Sequence, residues 1–542
     1  MPRTEDEIRI GSHETDGKGS PLTHTTLSPT TDTRQRAILA QPTAVIPIIF
    51  LPGIMGTNLK SNTGSKVWRP PNTDGVFPIL GAMGQMFAYV FRGPATRQRM
   101  LDPSKVEVDD RGSIDTDGAL KKSVAKDRGW GAVMRSSYHP VMALMQKRLN
   151  NIMEAGGLLE WWNENGTRSP GDYGDEKAGP ALSGDDFKHA ASYRYEVWGG
   201  GYNWLQSNED SGQDLIDYID DVVLAHHRSK GQDVKKVILV THSMGGLVGR
   251  AIARVHEYGK LLGVVHGVMP ATGAPATYHH CRCGYDGVSQ IILGRNAKEV
   301  TAIVGNAPGA LELLPSADYG EGRAWLKLGG PENNPSHALP ISDPYTEIYH
   351  SREWYGLVPQ ESLDMLDPAS LHNEPEFDGA EAIGFERFTR LLNDTQCFHE
   401  SISGKYPQPA FVHYGADDRL HGWADVHWQG PQLPSLNGMT RGEDNGNGKL
   451  SLKIGEKVIP LNFGEASQPG DGTVPTISGE APLQSGVSAS FRQGNQGSGA
   501  FVATNEKGKN KGYDHQDSYN DSRSQWATLV SVASISLEAD WA

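Results

Sequence analysis

The sequence predicts an α/β fold: a mostly parallel sheet flanked by helices, with two large insertions forming a cap or lid. Three observations carry this. Short apolar runs recur along the chain, stretches of helical period separate them, and one run ends in a tight corner built on Ser243 and two glycines. Strand, helix and strand in alternation is the pattern of right-handed crossovers between parallel strands.

The first run, Ala44–Gly53 (AVIPIIFLPG), is apolar throughout and closes on Pro-Gly, as suits a strand buried on both faces. The second starts at Tyr193 (YRYEVWGGG), the third is Lys235–Val240 (KKVILV), the fourth Leu261–Met269 (LLGVVHGVM) and the fifth Ala410–Ala416 (AFVHYGA). Between the second and third, Leu215, Ile216, Ile219, Val222 and Val223 repeat at about 3.6 residues, which predicts an amphipathic helix over 210–229. Between the third and fourth, GGLVGRAIARVHEYG is helical and stops at Gly259. A last apolar helix, SQWATLVSVASISL, completes the core.

Residues 1–40, rich in Thr, Ser, Pro, Asp and Gly, read as a flexible polar arm, leaving 41–542 as the core. Insertions at about 60–190 and 274–409 form the cap, and a polar hairpin region spans about 417–465. Gln493–Gly512 reads as surface loop.

The chain has 542 residues, 37% of them hydrophobic, with 64 glycines and 33 prolines, which allows one large core with insertions and much loop. A formal net charge of −15 and the lack of any basic stripe exclude a nucleic-acid partner. Three cysteines, Cys281, Cys283 and Cys397, make no disulfide framework, so synthesis in a reducing compartment is expected. The N-terminus lacks the apolar segment of a secretory signal, and no run approaches the roughly 18 apolar residues of a spanning helix. The expectation is a chain made in the cytoplasm that needs another export route to act elsewhere.

The corner Thr241-His242-Ser243-Met244-Gly245 carries the chemistry. A strand, a sharp turn and a helix push the turn side chain above the sheet edge and aim helix N–H groups at it. This is the nucleophile elbow, G-x-S-x-G, of α/β-hydrolases, here with Thr241 at the first glycine. A helix-capping serine is the plainer alternative. A serine nucleophile needs a base, and the base an orienting acid, in chain order Ser, acid, His. Downstream of PGDGTVP (Pro469–Pro475) only His515 remains as base. Asp471, held between two glycines, is the preferred acid; Asp417 and Asp418, just after the fifth strand, are the alternatives. The oxyanion donors fall to the N–H groups of Met244 and of Ile54 in LPGIMGTNL.

FLPGIMGTNL, VWGGGYNW, VTHSMGG, VVHGVMPATGAP, FVHYG, GDGTVP and the late histidine, in that order, resemble the lecithin:cholesterol acyltransferase group of α/β-hydrolases and the related GPI-inositol-deacylase-like lipases. The resemblance runs from about Val45 to His515 and leaves out the arm and most of both insertions. It implies Ser243 as nucleophile, Asp471 as acid, His515 as base, and Ile54 and Met244 as oxyanion donors. In that group the acid follows a hairpin excursion after the FVHYG-type strand, which favours Asp471 over Asp417.

A large chain with a polar arm and no signal peptide is also similar to lipase effectors of type VI secretion systems. The implied function is a serine lipase or A-type phospholipase acting through an acyl-enzyme, without cofactor. Its implied partners are membrane phospholipid, an immunity protein and a secretion-apparatus protein, and its destination is the periplasm of a target cell. Two alternatives stand beside it: an acyltransferase using the same residues, and an inert hydrolase-fold interaction protein.

Three other features bear on chemistry. YHHCRCG (Tyr278–Gly284) crowds its His and Cys too closely to converge on one metal ion, so no metal site is expected. GEDNGNGKLSL lacks the glutamate that closes a calcium loop and reads as a tight hairpin. REWYGLVP is either a lipid-contacting lid, with Trp354, Tyr355 and Leu357 exposed, or the apolar underside of an insertion.

Overall fold

A computed structural model describes residues 13–15, 21–23, 42–69, 93–154, 156–285, 294–372, 380–436, 438–495 and 512–542. The central sheet has seven strands: β1 (Val45–Leu51), β2 (Arg194–Gly199), β3 (Val237–His242), β4 (Leu261–Gly267), β5 (Ala410–Gly422), β6 (Gln468–Gly470) and β7 (Ala489–Gly494). Their order is β6-β5-β4-β3-β1-β2, with β7 also on β5; every pairing is parallel except β5 with the short β6. All five apolar runs are strands.

Alternation along β1 explains why this sheet is buried on both sides. Ile46, Ile48 and Phe50 face one core; Ile49 and Leu51 face the other. The helices among the described residues include α1 (Arg135–Leu149), α2 (Asn208–Tyr218), α3 (Gly245–Arg250), α4 (Ala380–Ile402) and α5 (Ser522–Ser536). α2 runs on through wider turns to Ser229, and α3 likewise to Val255. α5 joins α1 in the core that holds Phe50.

Not all of the first insertion lies over the site as a cap. Tyr138, Val141, Met142, Met145 and Leu149 of α1 pack on β1 and β2, and Trp130 donates its indole N–H to the Val197 carbonyl at 2.9 Å. This stretch covers one face of the main sheet because its apolar positions recur at helical spacing.

The second insertion and the polar region after β5 do not stand apart. Strands Leu326–Leu328 and His337–Leu339 from the insertion join Val426–Gln429, Thr440–Asp444, Lys449–Ile454 and Lys457–Phe463 in one six-stranded sheet. The GEDNGNGK stretch is the hairpin between two of these strands. YHHCRCG forms a helix over Ala276–Cys283, and the described residues hold no cluster of metal-ligating groups.

Trp354 and Leu357 sit inside this cap and Tyr355 is half-buried against it, the arrangement of the second alternative, an apolar underside. Trp354 and Leu357 are each 2% exposed, and Trp354 packs edge-on against Trp428 of the six-stranded sheet. An apolar cluster of that size fills the space under a sheet; among the described residues the exposed large apolar side chains of this region are instead Ile341 and Val458, at 84% and 56%. The arm at 1–40 lies outside the described residues except at 13–15 and 21–23, and so does 496–511 of the expected Gln493–Gly512 loop. Gln493 and Gly494 themselves end β7 and are buried.

Candidate functional site

Ser243 stands at the corner between β3 and α3 with φ of +51°, a left-handed conformation that costs a non-glycine residue free energy and is stored where function demands it. Its N–H is held by the Gly267 carbonyl at 2.9 Å, and its carbonyl takes the Gly246 N–H at 2.8 Å. Thr241, at the usual glycine position, fits because Gly249 faces it: a Cβ on Gly249 would lie 3.3 Å from the Thr241 methyl. The Thr241 hydroxyl meets His266 Nδ1 at 3.1 Å, so this departure from the motif is packed and partnered.

His515 Nε2 lies 2.8 Å from Ser243 Oγ, and His515 Nδ1 lies 2.8 Å from Asp471 Oδ2. A carboxylate only accepts, so Nδ1 carries the proton and Nε2 presents a lone pair to the serine. Residues 243, 471 and 515 thus meet although far apart in the chain. Asp471 follows β6, and its other oxygen accepts the N–H groups of Thr473 at 3.1 Å and Val474 at 2.8 Å. Its backbone carbonyl also accepts the His515 N–H at 2.8 Å. The acid and the histidine are therefore joined by side chain and main chain alike.

The other two acids do not reach His515. Asp417 points its carboxylate at Arg419 and at the N–H of Gly512, three residues before the histidine. Burial opposes its charge, but the bonds and charge of Arg419 and the Gly512 N–H hold its carboxyl below the usual range. Asp417 thus anchors the chain that leads to His515. Asp418 is exposed and bonds Asn495.

The loop after β1 makes a tight turn, with the Gly56 N–H on the Gly53 carbonyl at 2.9 Å and Met55 at φ +63°. This leaves the N–H of Ile54, like that of Met244, without an acceptor among the described residues. Gly53 is required by closeness: a Cβ there would lie 3.0 Å from Ser243 Cβ. The loop with Ile54 is thereby seated beside the serine. Trp68 fixes its far side, donating to the Met55 carbonyl at 2.7 Å.

Sequence reasoning missed Tyr138, whose hydroxyl accepts the Gly53 N–H at 3.2 Å. No motif marks it, because its place depends on α1 folding back onto the sheet. His242 was in plain view beside Ser243, but nothing in the sequence separates it from a core histidine.

Fold and site together define a class: a mixed α/β protein whose parallel-rich sheet carries a hydrogen-bonded serine, histidine and aspartate beyond its strand ends. A scan of protein-family models and a search of curated proteins gave no match. Among solved structures, the chain is similar to one described as the crystal structure of the Tle4–Tli4 complex, at 42% identity and a TM-score of 0.80, covering 92% of this chain and 100% of that one. The chain belongs to the Tle4 family of type VI lipase effectors. That sides with the effector resemblance and not with the lecithin:cholesterol acyltransferase-like group.

Proposed function

We propose that the chain is a serine lipase of α/β-hydrolase fold, a phospholipase of the A type that hydrolyses acyl esters of membrane lipids. The observation that carries this reading is the pair of 2.8 Å hydrogen bonds running from Ser243 through His515 to Asp471. His515 Nε2 takes the Ser243 proton as Oγ attacks the ester carbonyl, and the N–H groups of Met244 and Ile54 receive the oxyanion. The imidazolium, stabilised by Asp471, gives its proton to the departing alcohol. Water, deprotonated by the same imidazole, then releases the fatty acid. Residues 41–542 act as one core, with the insertions at 60–190 and 274–409 shaping access to it.

Family membership supports an effector delivered into a target cell, acting on its membrane from the periplasm. The Tle4 structure is of a complex with Tli4, and we infer that this chain has an immunity protein of its own, besides a secretion-apparatus partner. Among the described residues no helix is long and apolar enough to cross a membrane.

The test is labelling by a fluorophosphonate, together with hydrolysis of phosphatidylethanolamine, phosphatidylglycerol and triglyceride with products identified. An added alcohol acceptor distinguishes acyl transfer from hydrolysis. Ser243→Ala is expected to fold normally and lose both labelling and hydrolysis; retained hydrolysis would discard the mechanism.

A further inference from the structure

We propose that Tyr138 and His242 are positioning residues that lock the oxyanion loop to the segment carrying the base; this rests on the serine-lipase reading above. Both are buried, on α1 and at the end of β3. The direction of every hydrogen bond between them follows from one fixed point. The His515 carbonyl can only accept, so His242 Nε2, 3.0 Å away, carries the ring proton. His242 Nδ1 is then a lone pair, and the Tyr138 hydroxyl at 3.1 Å must donate to it.

With its proton committed, the phenol oxygen is an acceptor. It receives the N–H of Gly53, the residue before Ile54, at 3.2 Å, and the amide of Gln516, the residue after His515, at 3.4 Å. One hydroxyl therefore holds the neighbours of an oxyanion donor and of the base, and His242 ties the same hydroxyl to the base's own carbonyl. The seating is close: a Cβ on Gly53 would lie 2.8 Å from His242 Nδ1.

The relay holds still and moves no proton. Burial, then repulsion from a charged His515, keeps the His242 imidazole neutral far below its usual titration range. Burial likewise pushes the Tyr138 hydroxyl up to about 12. Such a neutral chain keeps one arrangement across the pH range in which a histidine base works.

The test compares wild type, Tyr138→Phe, His242→Gln and the double variant on a soluble p-nitrophenyl ester, below each protein's melting temperature. Glutamine keeps a donor for the His515 carbonyl but offers Tyr138 no Nδ1 lone pair. Each single change is expected to lower kcat by about 10- to 100-fold, as a small misplacement of reacting groups does, with KM within about twofold. The double variant is expected to lose no more than the worse single one, because both break one connection.

Folded single variants with kcat within about twofold of wild type overturn the inference, as do losses that multiply in the double variant. If Tyr138→Phe does not fold, His242→Gln decides by the same kcat and KM criteria. Failure of the lipase reading looks different: wild type then resists the fluorophosphonate, or Ser243→Ala stays active.

Discussion

Asp471→Asn isolates the acid's contribution with the least disturbance to the fold. Asp471 Oδ1 accepts from Thr473 and Val474, and an asparagine side chain keeps those bonds by putting its carbonyl oxygen in that seat. Its amide nitrogen then faces His515 Nδ1, where a carboxylate oxygen stood at 2.8 Å. An amide N–H donates to Nδ1 and drives the ring proton onto Nε2. That nitrogen, 2.8 Å from Ser243 Oγ, then presents a hydrogen and cannot take the serine proton. Where a Ser-His-Asp triad carries the chemistry, the wrong tautomer costs about 10⁴ in kcat, or about 5 kcal/mol of barrier. Steady-state hydrolysis of a p-nitrophenyl ester, with a thermal melt to check the fold, measures it. A folded variant keeping more than about a tenth of wild-type kcat would refute Asp471 as the orienting acid.

Gly53→Ala pushes a methyl against Ser243 Cβ and His242 Nδ1; it is expected to cost about 1–3 kcal/mol of stability and to lower kcat with it, by denaturant unfolding and ester hydrolysis. Trp354→Ala removes a buried indole from the cap and is expected to cost about 3–5 kcal/mol, whereas an exposed lid residue would leave the melting temperature unmoved. Glu312 is buried with the backbone N–H and the side-chain amide of Asn208 on one carboxylate oxygen, and burial raises its pKa to about 8 against an ordinary 4.5. A raised folded-state value means the stabilising protonation is fully present below about 4.5 and is lost as pH rises through about 8. Glu312→Gln should therefore gain stability relative to wild type as melts are taken from pH 5 to pH 9; parallel profiles would exclude the effect.

The central sheet was legible because strands buried on both faces read as near-continuous apolar runs. Val45–Leu51 and the first four residues of Val237–His242 declare themselves this way. β7 did not, since ASFRQG carries Arg492 and Gln493 within a strand that lies against β5. Ser243 and His515 were legible from the elbow motif and from the scarcity of histidines downstream. Asp471 came from a choice among carboxylates, and the reason Asp417 is unavailable, its engagement with Arg419 and Gly512, is tertiary. REWYGLVP left two readings open because apolar content gives affinity for an interior without saying which interior. Trp354 found it beneath a sheet whose strands come from two separate stretches of the chain.

That divided origin limits how the protein can be recombined. The small sheet takes Leu326–Leu328 and His337–Leu339 from before β5, and the rest from after it. A chimera with a relative that swapped only one stretch would leave mismatched edges along the junction of Leu326–Leu328 with Val426–Gln429. Both pieces must travel together, with the strand that leads to Asp417 passing between them.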